Sequence, residues 1–195
     1  MPEAIFGAIE AGMIYAIMAL GVYLSFRILD FPDLTVDGSF VTGAATAAIL
    51  IVNGYHPLIA TLAAVAAGFI AGAITGLLHT KGGINPLLAG ILMMIALYSI
   101  NLRIMGKPNL PLLREETVIT GINNIWESIG LNGLFGSILN AIGLGDVLPS
   151  TWGVLIVMLI VTLCIKFLLD IFLRTEIGRA LRATGDNEGM VHSFA

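Results

Sequence analysis

The stretch Leu58-Ile-Ala-Thr-Leu-Ala-Ala-Val-Ala-Ala-Gly-Phe-Ile-Ala-Gly-Ala-Ile-Thr-Gly-Leu-Leu78 carries no charged side chain. It is long enough for the ~20 apolar residues that an α-helix needs to cross a bilayer. Val154–Ile165 repeats the pattern near the other end of the chain. Over all 195 residues, 57% are hydrophobic and 11% charged, and the mean hydropathy is +0.97. A water-soluble domain carries roughly 25% charged residues, so this composition cannot cover a water-facing surface. The fold class is therefore all-α: a polytopic transmembrane helical bundle of about five spans.

Working outward from Leu58–Leu78, His56-Pro57 opens that span, with proline in the first turn where its missing N–H costs nothing. Asn85-Pro86 opens the next span in the same way, and that span runs to about Ile104. The first span is expected over Ala4–Phe26. It has no positive leader and no small-residue cleavage site, so it reads as a retained span rather than a secretory signal. Behind it, Asp30-Phe-Pro-Asp-Leu-Thr-Val-Asp-Gly38 interrupts the apolar pattern, and a short or broken second helix follows over Ser39–Val52. The last span is expected over Thr151–Leu173. Residues 106–150 read as a long polar loop containing an interfacial helix over Ile125–Leu144.

Orientation follows from basic residues, which concentrate on the cytoplasmic side. With the N-terminus outside and the C-terminus inside, Arg27, Lys81, Lys166, Arg174, Arg179 and Arg182 fall in the cytoplasm. Arg103, Lys107 and Arg114 then fall outside, which makes residues 106–150 an external loop.

The break at 30–38 has two readings. Non-helical backbone at membrane depth persists only where protein buries it or where it lines a watery cavity, and transporters use such breaks to present polar groups to a solute. On that reading Asp30, Asp33, Thr35, Asp37 and Ser39 line a translocation path, with Glu10 in the first span as a further intramembrane carboxylate. On the other, the segment is a cytoplasmic connection in which Thr35 and Asp37 cap the next helix. The spacing of Asp30, Asp33 and Asp37 would bring them together on a helical turn, but no histidine is near enough in sequence to complete a metal set.

In Leu58–Leu78 the small residues Ala60, Ala64, Gly68, Gly72 and Gly76 form an i+4 row, the pattern of close helix contact in lipid. Lys166 and Asp170 read as a neutralising i+4 pair. The single cysteine, Cys164, lies within a span. No phosphate-binding G-x-x-x-x-G-K-[ST], no H-E-x-x-H and no G-x-S-x-G occurs, so the chain reads as neither an enzyme nor a cofactor carrier. Nor does it carry a basic stripe for nucleic acid.

Two segments carry a family resemblance: Phe31-Pro-Asp-Leu-Thr-Val-Asp-Gly-Ser-Phe40, and Thr175-Glu-Ile-Gly-Arg-Ala-Leu-Arg-Ala-Thr-Gly-Asp-Asn-Glu188 behind the last span. Together with the order of spans, they resemble the integral-membrane permeases of ATP-binding-cassette importers of the branched-chain amino-acid and ribose type, above all the tryptophan/tyrosine-type permeases. The resemblance implies a multi-pass protein of the bacterial inner membrane that carries a small polar solute, an amino acid by expectation. It implies cytoplasmic ATPase subunits, an extracytoplasmic solute-binding protein and a second permease copy as partners within the lipid bilayer. It also implies that 175–192 is a cytoplasmic coupling segment, with Glu176, Gly178, Arg179, Arg182, Gly185, Asp186 and Asn187 meeting the ATPase. Family members resemble two related halves, so the chain is expected to be an N-terminal half. An ion-gradient-driven secondary transporter or channel, using Glu10 or Asp33, is the alternative.

Overall fold

The computed structural model describes residues 2–128 and 152–187, and these are α-helical apart from turns and short links. Among the described residues seven α-helices follow in order: α1 (Pro2–Tyr23), α2 (Thr35–Val52), α3 (Pro57–Thr80), α4 (Pro86–Met105), α5 (Val118–Ser128), α6 (Trp152–Arg174) and α7 (Glu176–Asp186). A π-helical turn, Leu24–Ile28, extends α1. Five stretches are long and apolar enough to cross a membrane: Gly7–Ile28, Thr35–Val52, Pro57–Thr80, Pro86–Met105 and Gly153–Arg174.

Helix starts follow the predicted chemistry at α3 and α4. His56 Nδ1 accepts the Leu58 N–H at 3.3 Å, and Asn85 Oδ1 accepts the Leu87 N–H at 3.0 Å, each just before a first-turn proline. Both side chains satisfy a backbone donor that a helix start otherwise leaves bare. At its other end α4 stops at Gly106, whose φ of 64° suits a residue without a Cβ.

The second helix differs from expectation. It begins at Thr35 rather than Ser39 and runs unbroken for 18 residues, about 27 Å at 1.5 Å per residue. That is close to the ~30 Å hydrocarbon thickness, so α2 is a full-length span and the break shrinks to residues 29–34. In the polar loop a helix occupies Val118–Ser128 and overlaps the expected Ile125–Leu144 at 125–128. Residues 129–144 of that expectation lie outside the described residues.

The chain divides into two compact units, one of residues 1–17 with 117–170, the other of 18–116 with 171–195. In the second unit α2 packs along both α3 and α4. Thr35 meets Thr75, the Ser39 carbonyl lies against Gly68, and Gly43 lies against the Ala64 carbonyl, so α2 and α3 run antiparallel. Leu34 lies against Gly90 and Gly38 against Met94 and Leu97, so α2 and α4 run parallel. Ala71, Met93 and Leu97 form a small apolar core, with Leu78 against it.

The i+4 row of α3 is followed only in part. Ala60 is wholly buried, and Ala64 and Gly68 face α2, but a Cβ added to Gly72 or Gly76 would meet nothing. The contact passes instead to Ala71 and Thr75, both buried. The cause is geometric: a strict i+4 row drifts around a helix of 3.6 residues per turn. Phe69, 76% exposed, and Leu62 lie outside the contact, as lipid-facing side chains do.

In the first unit the Thr162 hydroxyl donates to the Met158 carbonyl at 2.8 Å and reaches the Met13 carbonyl of α1 at 3.4 Å. Gly153 admits Trp126: a Cβ there would stand 2.7 Å from the indole Cγ. Lys166 and Asp170 form the expected pair at 2.6 Å.

Candidate functional site

The break is built from the end of α1. In the π turn the Leu29 N–H donates to the Leu24 carbonyl at 3.1 Å, and the Phe31 N–H to the Ser25 carbonyl at 3.0 Å. Single-turn π segments inside α-helices are frequent at functional sites. Asp30 then takes a φ of 50°, a left-handed conformation that Asp tolerates better than most residues. Asp33 turns the chain into α2: its N–H donates to the Phe31 carbonyl at 2.8 Å, and its Oδ1 accepts the Thr35 N–H at 2.8 Å.

The carboxylate that satisfies the start of α2 is thus Asp33, not Thr35 or Asp37 as expected. The residue at the cap position is Leu34, which makes no side-chain cap. Thr35 is freed for another partner. Its hydroxyl is buried and lies 2.9 Å from that of Thr75, which also bonds the Ala71 carbonyl at 3.2 Å.

Three neighbours hold the break. The Phe31 ring meets His79 edge-on with centroids 5.3 Å apart, and His79 Nδ1 lies 2.8 Å from the Ile84 carbonyl in the turn that follows α3. From α4, Gly90 approaches so closely that a Cβ would stand 2.8 Å from the Leu34 nitrogen. The third is the Thr35–Thr75 contact. These three contacts tie the non-helical segment 29–34 to α3 and α4, although its own residues stay half-buried or exposed.

Asp30 and Asp37 are exposed, and Ser39 donates to the Val36 carbonyl at 3.0 Å within its own helix. Asp30, Asp33 and Asp37 share no helical turn, because α2 starts only at Thr35. Among the described residues no group of three His, Cys, Asp or Glu side chains is placed to hold a metal. Glu10 lies half-buried on α1 in the other unit.

Sequence reasoning passed over Thr75, His79, Gly90 and Asn101. Asn101 is buried on α4, and its Oδ1 has no hydrogen-bond partner among the described residues. A polar side chain within an otherwise apolar span was the available signal for Thr75 and Asn101. Contact with the break could not be read from local sequence for His79 or Gly90.

The second part of the site is α7. Thr175 caps it: the hydroxyl accepts the Gly178 N–H at 3.2 Å and donates to the Phe172 carbonyl at 2.6 Å. Glu176 sits in the first turn, where a negative charge suits the helix dipole. Gly178 is buried in the sharp α6–α7 corner, and a Cβ there would overlap the Phe172 carbonyl and Leu173. At the far end a Cβ on Gly185 would overlap the Ile28 carbonyl and stand 3.0 Å from the Leu29 carbonyl carbon. Gly185 therefore seats α7 on the π turn.

Arg182 and Asp186 line a cavity of about 250 Å³ with Tyr23, Arg27 and Ile28. Arg179 is exposed, and the Asn187 N–H donates to the Ala183 carbonyl at 3.0 Å, closing the helix. One covalent path thus runs from the seat of α7, through Ile28 and the break, to Thr35.

Residues 4–195 match the family described as the permease component of the branched-chain amino acid transport system. The chain is 41% identical over 192 residues to the tyrosine transport system permease protein of Clostridioides difficile (strain R20291), covering 98% of this chain and 55% of that protein. It is 39% identical over 114 residues to an uncharacterized protein of Rickettsia prowazekii (strain Madrid E), covering 58% of this chain and 40% of that one. It spans about half the length of these curated relatives. No solved structure matches. With five membrane-length apolar helices and a family match along nearly its whole length, the chain is a multi-pass membrane protein that belongs to the branched-chain amino acid transport permease-component family.

Proposed function

We propose that this chain forms the membrane path of an ATP-driven importer for an amino acid, with α7 as the lever through which a separate cytoplasmic ATPase drives the bundle. The observation that carries this reading is the seat of Gly185 on the Ile28 carbonyl. A short amphipathic helix behind a span has no need of a side-chain-free contact with another helix's π turn unless their positions must stay linked. A push on α7 displaces Ile28, and the displacement reaches Thr35 and α2 through residues 29–34. The Thr35–Thr75 and Phe31–His79 contacts then pass it to α3.

Asp33, Thr35 and the buried Asn101 supply polar groups within the α2–α4 bundle, and a solute path needs such groups. Asp30, Asp37 and Ser39 would serve it from the rim. The excess of basic residues at the α1–α2 and α3–α4 links and after α6 supports an inner-membrane orientation with the N-terminus outside. It puts residues 106–150 outside, facing a solute-binding protein. The name of the C. difficile relative supports tyrosine or a similar aromatic amino acid as the solute. The path would be completed by a second permease copy or half.

Arg179→Glu together with Arg182→Glu tests the lever, because it reverses the charge that α7 offers to carboxylates on the ATPase. ATPase co-purification with the assembled importer falls on this reading. Unchanged co-purification would remove the role assigned to α7.

A further inference from the structure

The open cavity between the π turn and α7 is lined by two arginines, Arg27 and Arg182, and one carboxylate residue, Asp186, all three exposed, together with Tyr23 and Ile28. None of the three charged side chains forms an ion pair among the described residues, where the salt bridge found is Lys166–Asp170. Three charges gathered around one space, and not paired with each other, leave room for a ligand that carries both signs.

The cavity lies where two membrane-length apolar stretches end. Arg27 occupies the last turn of the apolar stretch Gly7–Ile28, and α7 starts two residues after the stretch Gly153–Arg174 ends. Tyr23, half-exposed one turn before Arg27, has the amphipathic ring that favours the membrane–water boundary. Basic pockets at such ends of membrane helices take phosphate headgroups, and arginine suits phosphate because its planar fork binds two oxygens at once. A purely anionic ligand would meet repulsion from Asp186. A phosphodiester followed by a primary ammonium meets none, since the ammonium donates hydrogen bonds to the carboxylate while the phosphate accepts them from the arginines. A quaternary ammonium has no N–H to give.

We propose that the Arg27–Arg182–Asp186 cavity binds the phosphoethanolamine headgroup of a membrane lipid, clasping α7 to the π turn. The proposal needs only that the chain spans a membrane and does not depend on an ATPase partner.

The test uses the full chain purified in mild detergent and equilibrated with equal amounts of phosphatidylethanolamine, phosphatidylcholine and phosphatidylglycerol. Retained lipid is counted by native mass spectrometry. The expected result is about tenfold enrichment of phosphatidylethanolamine over each of the others, the scale of one charged hydrogen bond. Arg27→Gln with Arg182→Gln abolishes that enrichment. Asp186→Asn, which leaves both cations in place, turns the preference towards phosphatidylglycerol.

No enrichment in the wild type, equal retention of phosphatidylcholine, or an unshifted preference in Asp186→Asn would overturn the proposal. So would millimolar inorganic phosphate displacing the lipid completely, since the site would then be one for free phosphate. If Arg182→Gln loses the ATPase but keeps phosphatidylethanolamine, the arginine serves a protein partner and the lipid site falls. If it keeps the ATPase and loses the lipid, the lipid site stands and the lever reading is the one weakened.

Discussion

Thr35 and Thr75 meet hydroxyl to hydroxyl at 2.9 Å, the first residue of α2 against a buried position near the end of α3. In lipid, such a bond contributes roughly 0.6 kcal/mol on average and up to about 1.7, and its burial here puts it towards the upper end. Thr75→Val keeps the shape and removes the partner, leaving Thr35 with a buried, unmatched hydroxyl. Stability should fall by about 1–2 kcal/mol, read as a lower unfolding midpoint in detergent, with Thr80→Val as a control at an exposed position. Equal midpoints for the two variants would show that the contact does not hold the break.

Glycines on the membrane helices separate into two kinds. Gly90→Ala would push a methyl group to within 2.8 Å of the Leu34 nitrogen, and overpacking of this sort costs about 1–3 kcal/mol. Gly72→Ala meets open space and removes a helix-weakening residue, so it should be neutral or stabilising by up to about 1 kcal/mol. Thermal midpoints measured side by side check the contrast. Equal losses at both positions would mean that the α2–α4 packing is described wrongly.

Capping by Thr175 gives a local prediction. Thr175→Ala removes the acceptor for the Gly178 N–H, a loss of about 1 kcal/mol in helix stability. Amide exchange along residues 176–186 should quicken by roughly fivefold, as that energy implies, while α3 exchanges as before. Uniform change along the chain would place the effect elsewhere.

Much of the fold was legible because membrane spans are written in long, uncharged runs. The His56-Pro57 and Asn85-Pro86 starts were legible because capping and proline chemistry are local. The start of α2 was not. Asp33, Thr35 and Asp37 are all good caps within five positions, and only the tertiary pull of Thr75 on the Thr35 hydroxyl leaves the work to Asp33. The α3 row misled at Gly72 and Gly76 because an i+4 pattern drifts off a contact face within a few turns. Of the candidate site, Gly178 and Gly185 entered only through the family resemblance, as residues meeting an ATPase. The approach of Gly185 to the Ile28 carbonyl was not legible, since the two lie far apart in sequence. Nor did spacing reveal that α2 begins only at Thr35, so that Asp30, Asp33 and Asp37 share no helical turn.

The central claim is that α7 acts on the bundle through the Gly185 seat on Ile28. It is tested most directly by Gly185→Ala in the complete importer, reconstituted in liposomes, with solute uptake and ATP hydrolysis measured together. The added methyl group lifts α7 off the π turn without altering the charges offered to the ATPase. The account predicts that the ATPase still assembles and hydrolyses ATP while uptake per ATP falls by about tenfold, the effect of ~1.4 kcal/mol at the coupling step. Wild-type uptake per ATP in this variant would contradict it.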